Sequence, residues 1–374
     1  HSGRGLSWAG RLRERVAAWQ AARVASPDFQ AWAARFPLTR PFVRADAARL
    51  NDLVSGFVYS QVLMAAVELD LFRALQAGPQ PLDLLAERAG VAPQRMETLC
   101  QAAASLGLMR RLRDGRFALG RLGAAVLGVP GLEAMISHHA LFYRDLADPV
   151  ALLRGETEPE LAAFWPYVRS IHGGGALPGA QAETYSELMA LSQRMVAEET
   201  LDAVPLSGIS HLADIGGGTG AFLGHVRARY PGLRLTLMDL PPVAEAARAR
   251  VGPDIEIAGG SFLEDPLPDA DAFSLIRVCY DHSDGTVARL LARVRDALPP
   301  GGRLILSEPM SGGDRPTRSG DAYFGFYTMA MTTGRVRSAD QHRAGLEAAG
   351  FVEIRQHPVR HPFVTSVLSA RKPA

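Results

Sequence analysis

His211-Leu-Ala-Asp-Ile-Gly-Gly-Gly-Thr-Gly-Ala-Phe-Leu223 is an apolar run, a glycine-dense turn and the start of a second apolar stretch. It reads as a β-strand entering a tight turn that opens a helix. Glycines 216, 218 and 220 carry no Cβ, so the backbone there can approach a ligand closely. The helix that follows offers N–H groups with no partner inside the helix. Alone the pattern is ambiguous, because Gly216-x-Gly218-x-x-Ala221 also satisfies a permissive dinucleotide fingerprint.

The residues on either side narrow the reading. Leu235-Thr-Leu-Met-Asp239-Leu240 ends the next apolar run in an acid, placed to accept both hydroxyls of a ribose. Asp214, two residues before the turn, suits a cofactor with a cationic amino-acid end better than one with a pyrophosphate. After Ser210, short apolar runs at 212–215, 233–238, 255–257, 273–278 and 303–307 alternate with helical patterns, as in a doubly wound parallel sheet. Two further runs, 352–359 and 363–370, predict a terminal antiparallel hairpin on the sheet edge, unlike the edge of a typical dehydrogenase. Together these features favour a Rossmann-like class I methyltransferase sheet and S-adenosylmethionine.

The 374 residues allow more than one domain. We divide them into an amphipathic extension (1–45), a helical domain (46–130), a helical linker and pocket region (131–200) and the cofactor domain (201–374). Pro81–Gly90 and Gln94–Leu106 read as short helices, and residues 108–119 as two strands turning at Asp114-Gly115. Helix, turn, helix and wing make a winged-helix module. Its second helix carries only Arg95, beside Glu97, so packing or dimerisation is favoured over nucleic acid. A net charge of +1 points the same way. Cys100 and Cys279 lie in apolar stretches and read as buried thiols. No apolar run approaches the roughly 18 residues of a membrane span, and no signal peptide is visible, so a cytoplasmic protein is expected. Trp8, Leu12, Val16 and Trp19 recur at helical spacing beside several arginines, a face for a subunit or a membrane surface.

The order Asp214-Ile-Gly-Gly-Gly-Thr-Gly, Met238-Asp-Leu-Pro-Pro-Val and Gly259-Gly-Ser-Phe resembles the small-molecule O-methyltransferases that dimerise through a winged-helix domain. The resemblance covers residues 46 to 370. Phe36-Pro-Leu-Thr-Arg-Pro, Gly56-Phe-Val-Tyr-Ser-Gln-Val-Leu, Arg277-Val-Cys-Tyr-Asp-His-Ser-Asp and Ser307-Glu-Pro-Met-Ser-Gly-Gly look like the carotenoid-pathway branch of that family. It implies a homodimer that uses S-adenosylmethionine and releases S-adenosylhomocysteine. The acceptor implied is the tertiary hydroxyl of a membrane-dwelling polyene, with peripheral contact to an inner or photosynthetic membrane. It also implies that Gly216, Gly218, Asp239 and Leu240 hold the cofactor, that Ser261 and Phe262 flank the adenine, and that Met189 lies near the methionine end. Arg277, at the end of a buried strand, faces the cofactor or pairs with Asp239 or Glu308.

The catalytic motif departs from the family. Most relatives read His-Asp-Trp-Ser-Asp after the fourth strand, the His acting as general base; here the chain reads Tyr280-Asp281-His282-Ser283-Asp284. Glu308 matches the acid that steadies the base, and a later acid of the family falls at Val336. A tertiary alcohol is about as weakly acidic as water, so proton loss late in the step is expected. The residues leave open whether His282, or Tyr280 acting through Asp281, accepts that proton with Glu308 polarising the pair. No His, Cys, Asp and Glu cluster has ligand spacing, so no metal is expected. Phe57, Tyr59, Met64, Phe142, Tyr143, Trp165, Phe324, Phe326, Tyr327 and Met329 are candidates for lining an apolar tunnel or for plain core. A polyketide-phenol O-methyltransferase, a tetrapyrrole C-methyltransferase, a dinucleotide oxidoreductase and a winged-helix metabolite sensor remain alternatives.

Overall fold

The computed structural model describes residues 8–164 and 193–374. Met189, Trp165, Tyr167 and His172 lie outside the described residues. The chain divides into two compact units, His1–Ala124 and Ala125–Ala374.

The first unit runs through helices Trp8–Val24, Pro27–Arg35, Arg40–Glu68, Leu71–Gln76, Leu82–Ala89 and Pro93–Ser105 to two strands, β1 (Met109–Arg111) and β2 (Phe117–Leu119). Proline at the first turn opens Pro93–Ser105, where its missing N–H costs nothing. Gly90 closes Leu82–Ala89 in the left-handed conformation that a side chain disfavours. The expected wing is present: β1 and β2 pair antiparallel with Met109 opposite Leu119. Asp114 accepts the Arg116 N–H across the turn, and Gly115 takes φ +87°. Phe72, Leu85, Met96, Cys100 and Phe117 fill the core.

One expectation is corrected here. Arg40–Glu68 is 29 residues long and, by length and composition, long and apolar enough to cross a membrane, with 11% of its apolar window buried. The count of uninterrupted apolar residues misses it because Ser55, Gly56, Ser60 and Gln61 break the run. Leu50, Leu53, Val54 and Phe57 stand exposed along it.

The second unit is built on a seven-stranded sheet of β3 (His211–Ile215), β4 (Arg234–Asp239), β5 (Ile255–Gly259), β6 (Ala272–Ile276), β7 (Arg303–Glu308), β8 (Val352–His357) and β9 (Ser366–Arg371), in the order β5-β4-β3-β6-β7-β9-β8. The first five are parallel, and β9 and β8 add the antiparallel hairpin expected from the sequence. β6 is buried at every residue, as a central parallel strand covered on both faces must be. It ends at Ile276, short of the expected Val278, because Arg277 takes φ +57° and turns the chain out of the sheet. Strand order reverses between β3 and β6, so the carboxyl ends of those strands open onto the crevice where such folds bind ligands.

Candidate active site

The glycine turn sits in that crevice, and its glycines do different work. At Gly216 (φ +69°) a Cβ would come within 2.9 Å of Val278 Cγ2, and at Gly220 (φ +80°) within 2.2 Å of Val251 Cγ1. Those two are held by packing. Gly218 (φ +56°) has nothing within 4 Å of its Cβ position, and its N–H donates to Asp239 Oδ2 at 2.8 Å. It borders open space.

That space is a cavity of about 520 Å³ lined by Asp214, Gly216, Gly218, Asp239, Leu240, Ser261, Phe262, Arg277, Asp281 and His282, together with Gln193 and Thr286. The size suits a nucleoside-sized ligand, since small-molecule sites run to roughly 300–1,000 Å³. Asp239 also accepts the Leu240 N–H at 2.7 Å, and burial raises its pKa. Asp214 is fully buried and accepts the Ser274 hydroxyl at 2.6 Å; burial, opposed by that bond and aided by the charge of Asp239, lifts its pKa to about 7. A cation entering beside these two acids lets both ionise. Gln193, not singled out in the sequence, is buried, and its Oε1 has no hydrogen-bond partner among the described residues. An amide there offers a further acceptor to a cationic amino acid, and helical spacing alone gives no signal for it. Ser261 takes the Leu263 N–H on its own hydroxyl, and Phe262 presents its ring to the cavity.

Arg277 pairs with neither Asp239 nor Glu308. It donates to the Val364 carbonyl at 3.0 Å and lies 6.0 Å over the Phe324 ring, while lining the cavity.

The loop Cys279–Asp284 forms one wall. Glu308, fully buried at the end of β7, accepts the backbone N–H groups of Val278, Cys279 and Tyr280 at 3.1, 2.7 and 3.2 Å. Burial raises its pKa to about 7 against those three donors. The structure therefore gives Glu308 the job of shaping the loop backbone. Arg337, buried and not singled out in the sequence, donates to Asp284 and to the carbonyls of Cys279 and His282. Arg335 N–H donates to the Tyr280 carbonyl, and a Cβ on Gly334 would come within 2.4 Å of that oxygen. The loop is fastened from both sides.

Two candidate bases on this loop part company. The His282 ring meets Phe262 edge to face, 5.4 Å away, at the end of the cavity that holds Ser261. Burial and the nearby Arg337 charge push its pKa down to about 4, leaving a neutral ring near neutral pH. Tyr280 is buried and packs perpendicular to Phe324, 6.5 Å away, on the Arg277 side.

A seven-stranded sheet with an antiparallel hairpin, a glycine turn, an acid at the end of the neighbouring strand and a second acid beneath the turn define a class I methyltransferase. Residues 143–352 match the O-methyltransferase domain and residues 51–128 the O-methyltransferase dimerisation domain. The chain belongs to this O-methyltransferase family. It is 52% identical over 355 residues to the demethylspheroidene O-methyltransferase of Cereibacter sphaeroides, covering 93% of each, and 51% identical over 340 residues to that of Rhodobacter capsulatus, covering 90% of this chain and 85% of the relative. The structure of human N-acetylserotonin methyltransferase in complex with SAM superposes with a TM-score of 0.74 at 25% identity, covering 88% of this chain and 98% of that one. This chain is thus an S-adenosylmethionine-dependent O-methyltransferase of a small-molecule acceptor, with the dimerisation domain of its family. The exposed Leu53, Val54 and Phe57 fall within that domain, an apolar stripe of the kind a second subunit covers.

Proposed function

We propose that the chain methylates the tertiary hydroxyl of a carotenoid of the demethylspheroidene type. The observation that carries this reading is the 52% identity spread over 93% of both chains. The site is consistent with it. A phenol benefits from a base with a pKa of about 7 held on the loop, whereas this loop offers Tyr280 where the family pattern implies His. A tertiary alcohol loses its proton late, so positioning and exclusion of water carry more of the rate.

S-adenosylmethionine, when bound, supplies an activated methyl group on a sulfonium. In our reading Asp239 holds the ribose hydroxyls and Phe262 with His282 encloses the adenine. Gln193 and Asp214 face the cationic amino-acid end, and Gly216 and Gly218 let the backbone close on the ligand. Met189 is proposed at the methionine end, as the family pattern implies. Tyr280 and Asp281 form the acceptor-side wall, and Glu308 keeps the loop in register. Transfer of a labelled methyl group from S-adenosylmethionine to a panel of hydroxylated carotenoids, phenols and chlorophyllides tests the assignment. Label on a phenol or chlorophyllide alone would overturn it.

We further propose that helix Trp8–Val24 rests on the membrane that dissolves such a substrate. Trp8, Leu12, Val16 and Trp19 are exposed on it, among Arg11, Arg13, Arg15 and Arg23. Apolar rings beside arginines suit an anionic bilayer surface. Flotation with anionic liposomes should recover the full chain and lose it when residues 8–24 are removed; no flotation of either form refutes the contact.

A further inference from the structure

The O-methyl transfer reading leaves the acceptor's proton without a strong base on the loop, and a second polar cluster lies beside that loop. Helix Leu132–Asp145 carries two consecutive histidines, and each meets a tyrosine far along the chain. His138 Nε2 lies 2.9 Å from Tyr327 Oη, and His139 Nε2 lies 2.7 Å from Tyr323 Oη. The tyrosines are four residues apart, where a π-helical segment, Arg318–Phe324, gives way to helix Gly325–Ala330. Widened turns of this kind are rare and gather at functional sites.

The two pairs are not equivalent. His138 and Tyr327 are both buried, with Phe142, Leu161 and Met331 among their surroundings, and act as packing. His139 and Tyr323 are half-buried. Tyr323 stacks edge-on against Phe324 at 4.8 Å, and Phe324 meets both the Tyr280 ring and the Arg277 guanidinium. Arg277 lines the cofactor cavity, and its charge acts on Tyr323. The His139–Tyr323 pair is thus linked through the Phe324 ring to Arg277, whereas His282 meets Phe262.

Which atom of this pair donates depends on the imidazole tautomer. The Met135 backbone, one turn earlier, acts on the His139 ring, and a carbonyl there accepts from Nδ1, in the tautomer that leaves Nε2 its lone pair. Tyr323 O–H then donates to Nε2, and the remaining lone pairs on Tyr323 Oη can accept from an alcohol.

We propose that Tyr323, backed by His139, takes the proton of the acceptor hydroxyl. As the O–CH₃ bond forms and the S–CH₃ bond breaks, the hydroxyl proton passes to Tyr323 Oη and the tyrosine's own proton passes to His139 Nε2. Positive charge leaves sulfur as it arrives on the imidazole, so the site gains no net charge. That balance matters because burial holds the resting His139 ring neutral. The inference rests on transfer to a hydroxyl but not on which acceptor carries it. Tyr323 is then a catalytic residue and His139 a positioning and relay residue acting through it.

The test uses the full-length protein and whichever acceptor of the panel the wild type methylates. Tyr323→Phe and His139→Ala should each lower kcat about 10²-fold, the usual scale for a lost acid–base group, with S-adenosylmethionine affinity and Tm retained. Added imidazole should restore His139→Ala but not Tyr323→Phe. Tyr327→Phe serves as the packing control, with kcat within about 3-fold of wild type as no base is removed. Independently of turnover, ¹⁵N NMR should show His139 Nε2 unprotonated in the wild type and shifted in Tyr323→Phe. A Tyr323→Phe kcat within twofold of wild type, or a proton resident on His139 Nε2, overturns the relay. Wild-type label appearing only on a phenol instead overturns the carotenoid reading, and the variant ratios on that phenol still decide the relay.

Discussion

The two sides of the cavity are built in different ways. On the cofactor side, Asp214, the glycine turn and Asp239 lie within 26 consecutive residues, on two adjacent strands and the turn between them. On the proposed acceptor side, His139 and Tyr323 are separated by 184 positions, and a helix and a π-turn bring them together. A local motif is dictated by backbone geometry, because strand, turn and helix each have a residue signature. A site assembled from distant segments depends on tertiary packing that no window of sequence contains.

The largest expected effect separates two glycines of one turn. Gly220→Ala places a Cβ 2.2 Å from Val251 Cγ1 at φ +80°, so the turn or the Val251 side chain must shift. Gly218→Ala meets only open space and the left-handed conformation, costing about 1–2 kcal/mol. Cofactor binding should vanish in calorimetry for the first and weaken for the second. Equal losses in both would show that strain, not packing, governs the turn. Next comes Asp239→Ala, which removes a carboxylate that also anchors the Gly218 N–H. Dissociation constants for S-adenosylmethionine should rise about 10²-fold, the scale of a lost pair of charge-assisted hydrogen bonds.

A pH effect of intermediate size follows from the buried acids. Burial lifts the pKa of Asp214 and Glu308 to about 7 in the folded protein, from ordinary values of 3.8 and 4.5. The folded state therefore holds more protons than the unfolded chain between about pH 4 and 7, and stability from these groups is lost as pH rises through that window. His282, at about 4, is neutral across most of it. The Tm of cofactor-free protein should fall from pH 5.5 to 8, and Asp214→Asn should flatten part of the slope. S-adenosylmethionine should bind more tightly as pH rises, because its cationic end favours the ionised acid. Affinity that weakens toward pH 8 would remove Asp214 from the binding site.

How much was legible follows the same division. The parallel strands, the wing at Asp114-Gly115 and the terminal hairpin were readable because alternation and turn residues are local signals. Asp214, Gly216, Gly218, Asp239, Leu240, Ser261, Phe262 and Arg277 all line one cavity. Gln193 and Arg337 were not legible. A glutamine on a helix and an arginine in a loop acquire meaning only once burial leaves Oε1 of the first without a partner among the described residues and gives the second four (Asp284 and the carbonyls of Cys279, His282 and Arg335). His282 shows the opposite failure, since its place in the motif, two residues from the family's base, says nothing about which end of the cavity it faces.

The smallest expected effect therefore falls on the residue whose motif position is most suggestive. His282 meets Phe262 through an edge-to-face ring contact, worth about 0.5–1.5 kcal/mol beyond buried area. His282→Phe keeps a ring there and removes the only nitrogen able to take a proton from this position. If the nucleobase end is its place, kcat should stay within a few-fold of wild type and S-adenosylmethionine affinity should change by less than tenfold. A fall in kcat as deep as that of Tyr323→Phe would move the proton acceptor back to the loop. It would also show that the acceptor side is written as locally as the cofactor side.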